Sequence, residues 1–200
     1  MQALALTQVR FIPAATPPHR PIPTVSSLQR LHMVQLAISD DVGFCVDARE
    51  VERAGVSFTI DTLESVQREF SAQDARLCLI LGLDAFLGLE SWRRWRDILR
   101  LAHIVVMQRP GADTMTLPPW AHGIIADSAA LQQQRGGAVI MQAVTPQLIS
   151  ASAIRAAIVR GGDVMALPLP SAVASYIRNH QLYLGNKETD ASKKDAATYF

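Results

Sequence analysis

Short apolar runs bounded by turn residues alternate along the chain with segments of helical period. Five runs read as strands: Val9 to Pro13, Gly43 to Asp47, Leu77 to Gly82, His103 to Met107 and Ala138 to Val144. Between them, Ser26 or Ser27 can cap a helix that sets Leu28, Leu31, Val34 and Ile38 on one face, and Thr59 can cap one carrying Leu63, Val66 and Phe70. Two later helices fit Ala151 to Arg160, closed by Gly161-Gly162, and Ser171 to Asn179, opened by Pro170. This alternation predicts an α/β fold around a parallel sheet. Gly111 to Gly137 reads as a long irregular excursion. Residues 1–185 read as one domain, and 186–200, polar and without period, as a tail.

Composition narrows the picture. At 200 residues, 49% hydrophobic and 18% charged, the chain can bury a single core. Its formal charge of +1 supplies no strong field to recruit nucleic acid or an acidic membrane, so any bound anion must be held by local groups. Cys45 and Cys78 sit inside apolar runs, where a thiol acts as a small hydrophobe. No stretch approaches a membrane span and the first residues do not form a secretory leader, so a cytoplasmic protein is expected. There is no G-x-G-x-x-G and no G-x-x-x-x-G-K-[ST], and the five histidines lack metal-ligand spacing; no structural metal is predicted.

In open α/β sheets ligands bind beyond the carboxyl ends of the strands. After the first run, Pro17-Pro18-His19-Arg20 forms a proline-stiffened loop presenting an imidazole and a guanidinium; it is either a phosphate holder or a solvated surface loop. After the third, Gly82 and Asp84 offer close backbone approach and a carboxylate for ribose hydroxyls, although such an aspartate is more often an N-cap. Trp92 and Trp95, three apart, would share a helix face, one of them free to stack on an aromatic base or both belonging to the core. Arg109 precedes a rigid Pro110-Gly111 turn. The segment Ile149-Ser150-Ala151-Ser152-Ala153-Ile154-Arg155 puts two hydroxyls at a helix start and a guanidinium one turn on, an anion site or an ordinary cap with a solvated arginine.

Taken in order, these segments, together with Phe11-Ile12-Pro13, Ser27 with Arg30 and Met33, Asp47-Ala48-Arg49-Glu50, Ser57-Phe58-Thr59-Ile60-Asp61-Thr62-Leu63 and Tyr176-Ile177-Arg178, make a chain that resembles the bacterial nicotinate-nucleotide adenylyltransferase family over roughly Val9 to Leu184. The resemblance implies a Rossmann-like nucleotidyltransferase fold and transfer of the adenylyl group of ATP, carried with Mg²⁺, to nicotinate mononucleotide in NAD synthesis. It implies catalytic roles for His19, Arg20 and Arg155. It places ATP on Gly82, Asp84, Arg109, Ile149, Ser150, Ser152 and Arg155, and nicotinate mononucleotide on Ser57, Phe58, Thr59 and Trp92. Arg20 stands where the family more usually has lysine, which keeps the charge but alters its geometry. A related enzyme acting on phosphopantetheine is disfavoured by the Ser57 to Leu63 segment, and a nucleotide-binding remnant without phosphoryl chemistry is the other alternative.

One departure stands out. The family begins with a strand running into G-G-T-F-D-P-x-H-x-G-H, and nothing before Val9 supplies it; Met1 to Gln8 reads as the end of a first helix. Omitting a central strand would strand roughly ten backbone groups at ~1–3 kcal/mol each, which rivals a domain's whole stability of ~5–15 kcal/mol. The expectation is therefore a start codon set too far downstream or an incomplete chain, rather than an evolved enzyme without these histidines.

Overall fold

Every strand ladder among the described residues is parallel. The computed structural model describes residues 2–18, 23–73, 75–108, 117–145 and 149–184. Strand β1 (Val9–Phe11) leads to α1 (Ser27–Ala37), β2 (Phe44–Val46), α2 (Arg49–Arg53) and α3 (Thr59–Glu69). There follow β3 (Cys78–Gly82), α4 (Leu83–Leu87), α5 (Trp95–Leu101), β4 (His103–Gln108), α6 (Ala130–Gln133), β5 (Val139–Ala143), α7 (Ala151–Val159) and α8 (Ser171–Asn179). All five predicted strands are present, as are the four helices expected from Ser26 or Ser27, from Thr59, over Ala151 to Arg160 and over Ser171 to Asn179, and the fold is α/β as the pattern requires.

The ladders form two pieces. β1 pairs with β2, Val9 opposite Phe44, and β4 lies between β3 and β5. The two pieces exchange no ladder among the described residues, so β1 and β3 each keep one edge without a strand partner there. Burial follows this division. β1 and β2 are half-buried at most, whereas the first four residues of β4 are buried.

Alternate residues of β4 serve two cores, as expected for a parallel sheet covered on both faces. Ile104 and Val106 pack with Ile60, Leu63, Phe86 and Ile98 from the helices on one side. Val105, with Ile140, packs against Leu4, Ala130 and Leu131 on the other. A third cluster gathers α7 and α8 through Ile158, Val173 and Ile177, with Met33 and Leu36 of α1 against it.

Local chemistry explains the element ends. Ser26 caps α1 with a full capping box, its Oγ accepting from Gln29 N–H while Gln29 reaches back. The expectation for Thr59 is overturned: Phe58 is the N-cap of α3, no side chain caps it, and Thr59 is already helical. Trp92 and Trp95 do not share a helix, because Trp92 is extended, Arg94 adopts a left-handed conformation (φ 52°), and α5 starts only at Trp95. Residues 2–4 form a short 3-10 turn that buries Leu4 rather than the end of an α-helix. The 111–137 excursion is less irregular than its composition suggests: a 3-10 turn at Pro119–Ala121, the α6 helix and a parallel bridge from Ile125 to Val139 lie within it.

That excursion closes on a buried histidine. His103 is fully buried, with Nδ1 accepting from Ala138 N–H at 3.3 Å and Nε2 facing Gln134 O at 3.1 Å. A backbone N–H can only donate and a carbonyl only accept, so the ring is held neutral with its proton on Nε2. Gly136 belongs to the same closure, since a Cβ there would lie 3.0 Å from Arg100 O.

On the opposite side, β1, β2 and α3 are laced by charge. Arg10 bridges Asp47 (3.2 Å) and Glu69 (2.9 Å), and Arg49 contacts the same two carboxylates. Arg10 also lies over the Phe70 ring at 4.6 Å, just past the end of α3. Burial pushes the Asp47 carboxyl up, but hydrogen bonds from the Arg49 side chain and backbone outweigh it and hold it below the usual carboxylate range. The Glu69 carboxyl is held down by Arg10 and then Arg49.

Carboxylates depressed in the folded state stabilise it above their unfolded values, and that stabilisation is lost as pH falls through the folded values. The melting temperature should therefore drop as pH is lowered below about 4. D47N should be less stable near neutrality and show a shallower acid slope. An unchanged slope in thermal melts would contradict the assignment. His103→Leu should cost about 1–3 kcal/mol for each buried group it leaves unpaired, read by urea unfolding; a neutral result would remove the histidine closure from the account.

Candidate active site

A pocket of about 290 Å³ opens where the loop after β1, the start of α3, the start of α4 and the Ser91–Arg93 turn meet. It lies at the carboxyl ends of β1 and β3, as expected for an α/β sheet. Pro17 and Pro18 form one wall, Phe58 and Thr59 a second, and Asp84, Trp92 and Arg93 complete it.

The wall bearing the prolines is tied down by Ser57. Its Oγ accepts from Ala15 N–H at 2.8 Å, its own N–H donates to Thr16 O at 2.9 Å, and Thr16 and Val56 form a parallel bridge. Ser57 is buried and lines the pocket, and its hydroxyl positions the loop. Arg30 of α1 adds a clamp, with Nη2 donating to Ala15 O (3.0 Å) and Nε to Val25 O (3.4 Å). These two backbone acceptors flank the Pro17-Pro18 turn.

The start of α3 faces the pocket uncapped. Asp61 and Thr62 N–H groups bond back to Phe58 O, whereas the Thr59 and Ile60 N–H groups have no backbone or side-chain acceptor among the described residues. Unsatisfied donors at the positive end of a helix make a ready anion site. Next to them Phe58 and Trp92 present aromatic surface. Trp92 is half-buried and packs against the main core cluster, while Trp95 is committed to that core through Trp120, 4.9 Å away between ring centroids.

Asp84, in the first turn of α4, is exposed at the pocket, and its carboxylate has no partner among the described residues. It is not an N-cap; Gly82 occupies that position. The space a side chain at Gly82 would fill is open, which leaves room for another molecule against the backbone. Asp84 thus stands at the pocket, with Gly82 two residues before it at the end of β3.

The Ser150 segment lies outside this pocket. Ser150 is the N-cap of α7, its Oγ accepting from Ala153 N–H at 3.0 Å and lying 3.1 Å from Ser152 Oγ. Ile149, just before it, is exposed. Arg155 is exposed with no carboxylate partner among the described residues. Burial pushes the Tyr183 hydroxyl up, partly offset by the positive charges of Arg155 and Arg30, which puts both guanidiniums near one ring. The capping reading of Ser150 and the availability of Arg155 thus both hold. His19, Arg20 and Arg109 lie outside the described residues.

Arg93, which lines the pocket with its guanidinium 4.6 Å from the Phe58 ring centre, has no signal in the sequence reading, and Arg30 appears there as part of the resemblance without the clamping role that it has on the loop. Nothing in the spacing Trp92-Arg93-Arg94-Trp95 signals the left-handed turn at Arg94 that separates the two tryptophans.

Among the described residues no group of three or more His, Cys, Asp or Glu could hold a metal ion, and no helix is long and apolar enough to cross a membrane.

Comparison with known proteins identifies the family. Residues 1–157 match the cytidylyltransferase-like family. A Methylococcus capsulatus protein named "Probable nicotinate-nucleotide adenylyltransferase" is 40% identical over 185 residues, covering 90% of this chain and 87% of the relative. A Pseudomonas aeruginosa protein of the same name is 44% identical over 188 residues, covering 91% and 86%. In solved structures, the Plasmodium falciparum nicotinic acid mononucleotide adenylyltransferase complexed with NaAD superposes with a TM-score of 0.61 at 13% identity, covering 88% of this chain and 82% of the other, which shows the shared fold. With this degree of identity over nearly the whole chain, the protein belongs to the nicotinate-nucleotide adenylyltransferases of the cytidylyltransferase-like family.

Proposed function

We propose that this protein transfers the adenylyl group of ATP to nicotinate mononucleotide, giving nicotinate adenine dinucleotide and pyrophosphate, a step in NAD synthesis. The observation that carries the reading is the uncapped start of α3 beside Phe58 and Trp92, a place for a flat ring bearing a carboxylate. The nicotinate carboxylate accepts from the Thr59 and Ile60 N–H groups, and Trp92 stacks on the ring. Asp84 accepts from ribose hydroxyls, with Gly82 leaving backbone clearance.

A phosphate oxygen of the mononucleotide attacks the α-phosphorus of ATP in line. A new P–O bond forms there as the bond to the bridging oxygen of the β-phosphate breaks, and the electron pair leaves with pyrophosphate. No covalent enzyme intermediate is needed, so the protein contributes positioning and charge stabilisation. Arg155, which has no carboxylate partner among the described residues, neutralises phosphate charge, together with the N–H groups at the start of α7 and the basic pair His19 and Arg20. ATP would arrive as its Mg²⁺ complex, the ion being held chiefly by the phosphates and water.

Trp92→Ala should raise the KM for nicotinate mononucleotide about tenfold or more, since stacking on one base is worth about 1–3 kcal/mol. Arg155→Ala should lower kcat/KM for ATP by at least about tenfold, the scale of a lost charge-assisted hydrogen bond, with little change in mononucleotide binding. Pyrophosphate release reads both. Turnover of phosphopantetheine with ATP, or no binding of nicotinate mononucleotide at all, would overturn the reading.

A further inference from the structure

Among the described residues the pocket carries one cation at its wall, and its contacts set it apart from its neighbour. Arg94 is tied down: its Nη1 bonds Glu64 at 2.8 Å and its Nε bonds Asp97 at 2.8 Å. Arg93 sits over the Phe58 ring with its guanidinium carbon 4.6 Å from the ring centre. Its one ion pair among the described residues, with Asp61, is at 3.7 Å, too long for a hydrogen bond, and the side chain is 53% exposed. A cation–ring contact does not use up the N–H donors of a guanidinium. The residue it stacks on is the N-cap of α3, immediately before the Thr59 and Ile60 N–H groups that lack acceptors.

The backbone explains this placement. The left-handed conformation of Arg94 turns the chain between extended Trp92 and helical Trp95. Trp92 and Arg93 consequently line the pocket while Trp95 packs into the core. A non-glycine residue with positive φ is uncommon, and the strain persists where surrounding contacts impose it. Here the bonds from Arg94 to Glu64 and Asp97 do so.

We infer that Arg93 is the residue by which this pocket tells the carboxylate of a pyridine acid from the amide of its neutral counterpart. The inference rests on the function proposed above and deepens it. Backbone N–H groups alone discriminate weakly, because an amide oxygen also accepts from them. A cation with donors to spare favours the ionised acid specifically, and its contact with the Phe58 ring steadies it without using those donors. Asp61 is its competitor. Removing that carboxylate strengthens the preference, and removing the guanidinium weakens it.

The test is calorimetric titration of nicotinate mononucleotide and nicotinamide mononucleotide into the parent chain, R93Q, R93K and D61N, with melting temperatures confirming that each variant is folded. The readout is the ratio of the two Kd values. In R93Q the preference for the acid should fall about tenfold, the scale of a charge-assisted hydrogen bond discounted for exposure. R93K should recover part of it, since the charge returns without the flat stacking face, and D61N should raise it above the parent. A parent that prefers the acid while R93Q keeps the same ratio overturns the role of Arg93 and leaves the proposed function standing. A parent that binds neither nucleotide overturns the proposed function and this inference with it.

Discussion

The pocket depends on the paired hydrogen bonds between Ser57 and the loop after β1. Ala15 N–H donates to Ser57 Oγ, and Ser57 N–H donates to Thr16 O. They join the two-stranded part of the protein to the start of α3, at a point where the ladders themselves do not connect the two pieces of sheet. Pro17 and Pro18 then stand opposite Phe58 and Thr59, and Arg30 holds the same loop from α1. A buried serine hydroxyl must be satisfied, so the contact that orders the loop also meets Ser57's own need for a partner.

The charges are sorted with the same economy. Arg10 and Arg49 are consumed by Asp47 and Glu69, and Arg94 by Glu64 and Asp97. Arg93 at the pocket and Arg155 at α7 keep donor capacity, and both stand beside a helix start. With a net charge of only +1, the molecule offers anions local sites rather than a field.

Strands and helices were legible because both periods are strong: the β4 residues Ile104 to Val106 form an unbroken apolar and buried run, as a strand covered on both faces must, and the α3 residues Leu63 and Val66 lie on one buried face. The pocket residues Ser57, Phe58, Thr59, Asp84 and Trp92 were legible through family resemblance, and the structure gathers all five. Caps and turns were harder to read. Thr59 has the chemistry of a cap, yet the chain enters the helix one residue earlier, and that early entry leaves its N–H free. The left-handed turn at Arg94 depends on contacts with Glu64, thirty residues away in sequence, which no local pattern records. The same holds for His103, whose partners Gln134 and Ala138 lie at the far end of, and just after, a segment that reads as irregular.

The central claim is that the uncapped start of α3 receives the carboxylate of a ring stacked on Trp92. A crystal structure of this chain with nicotinate mononucleotide tests it most directly. The account predicts the ring against Trp92, with a carboxylate oxygen within hydrogen-bond distance of the Thr59 or Ile60 N–H. A bound nucleotide whose ring lies elsewhere, with those N–H groups still unpaired, would contradict it.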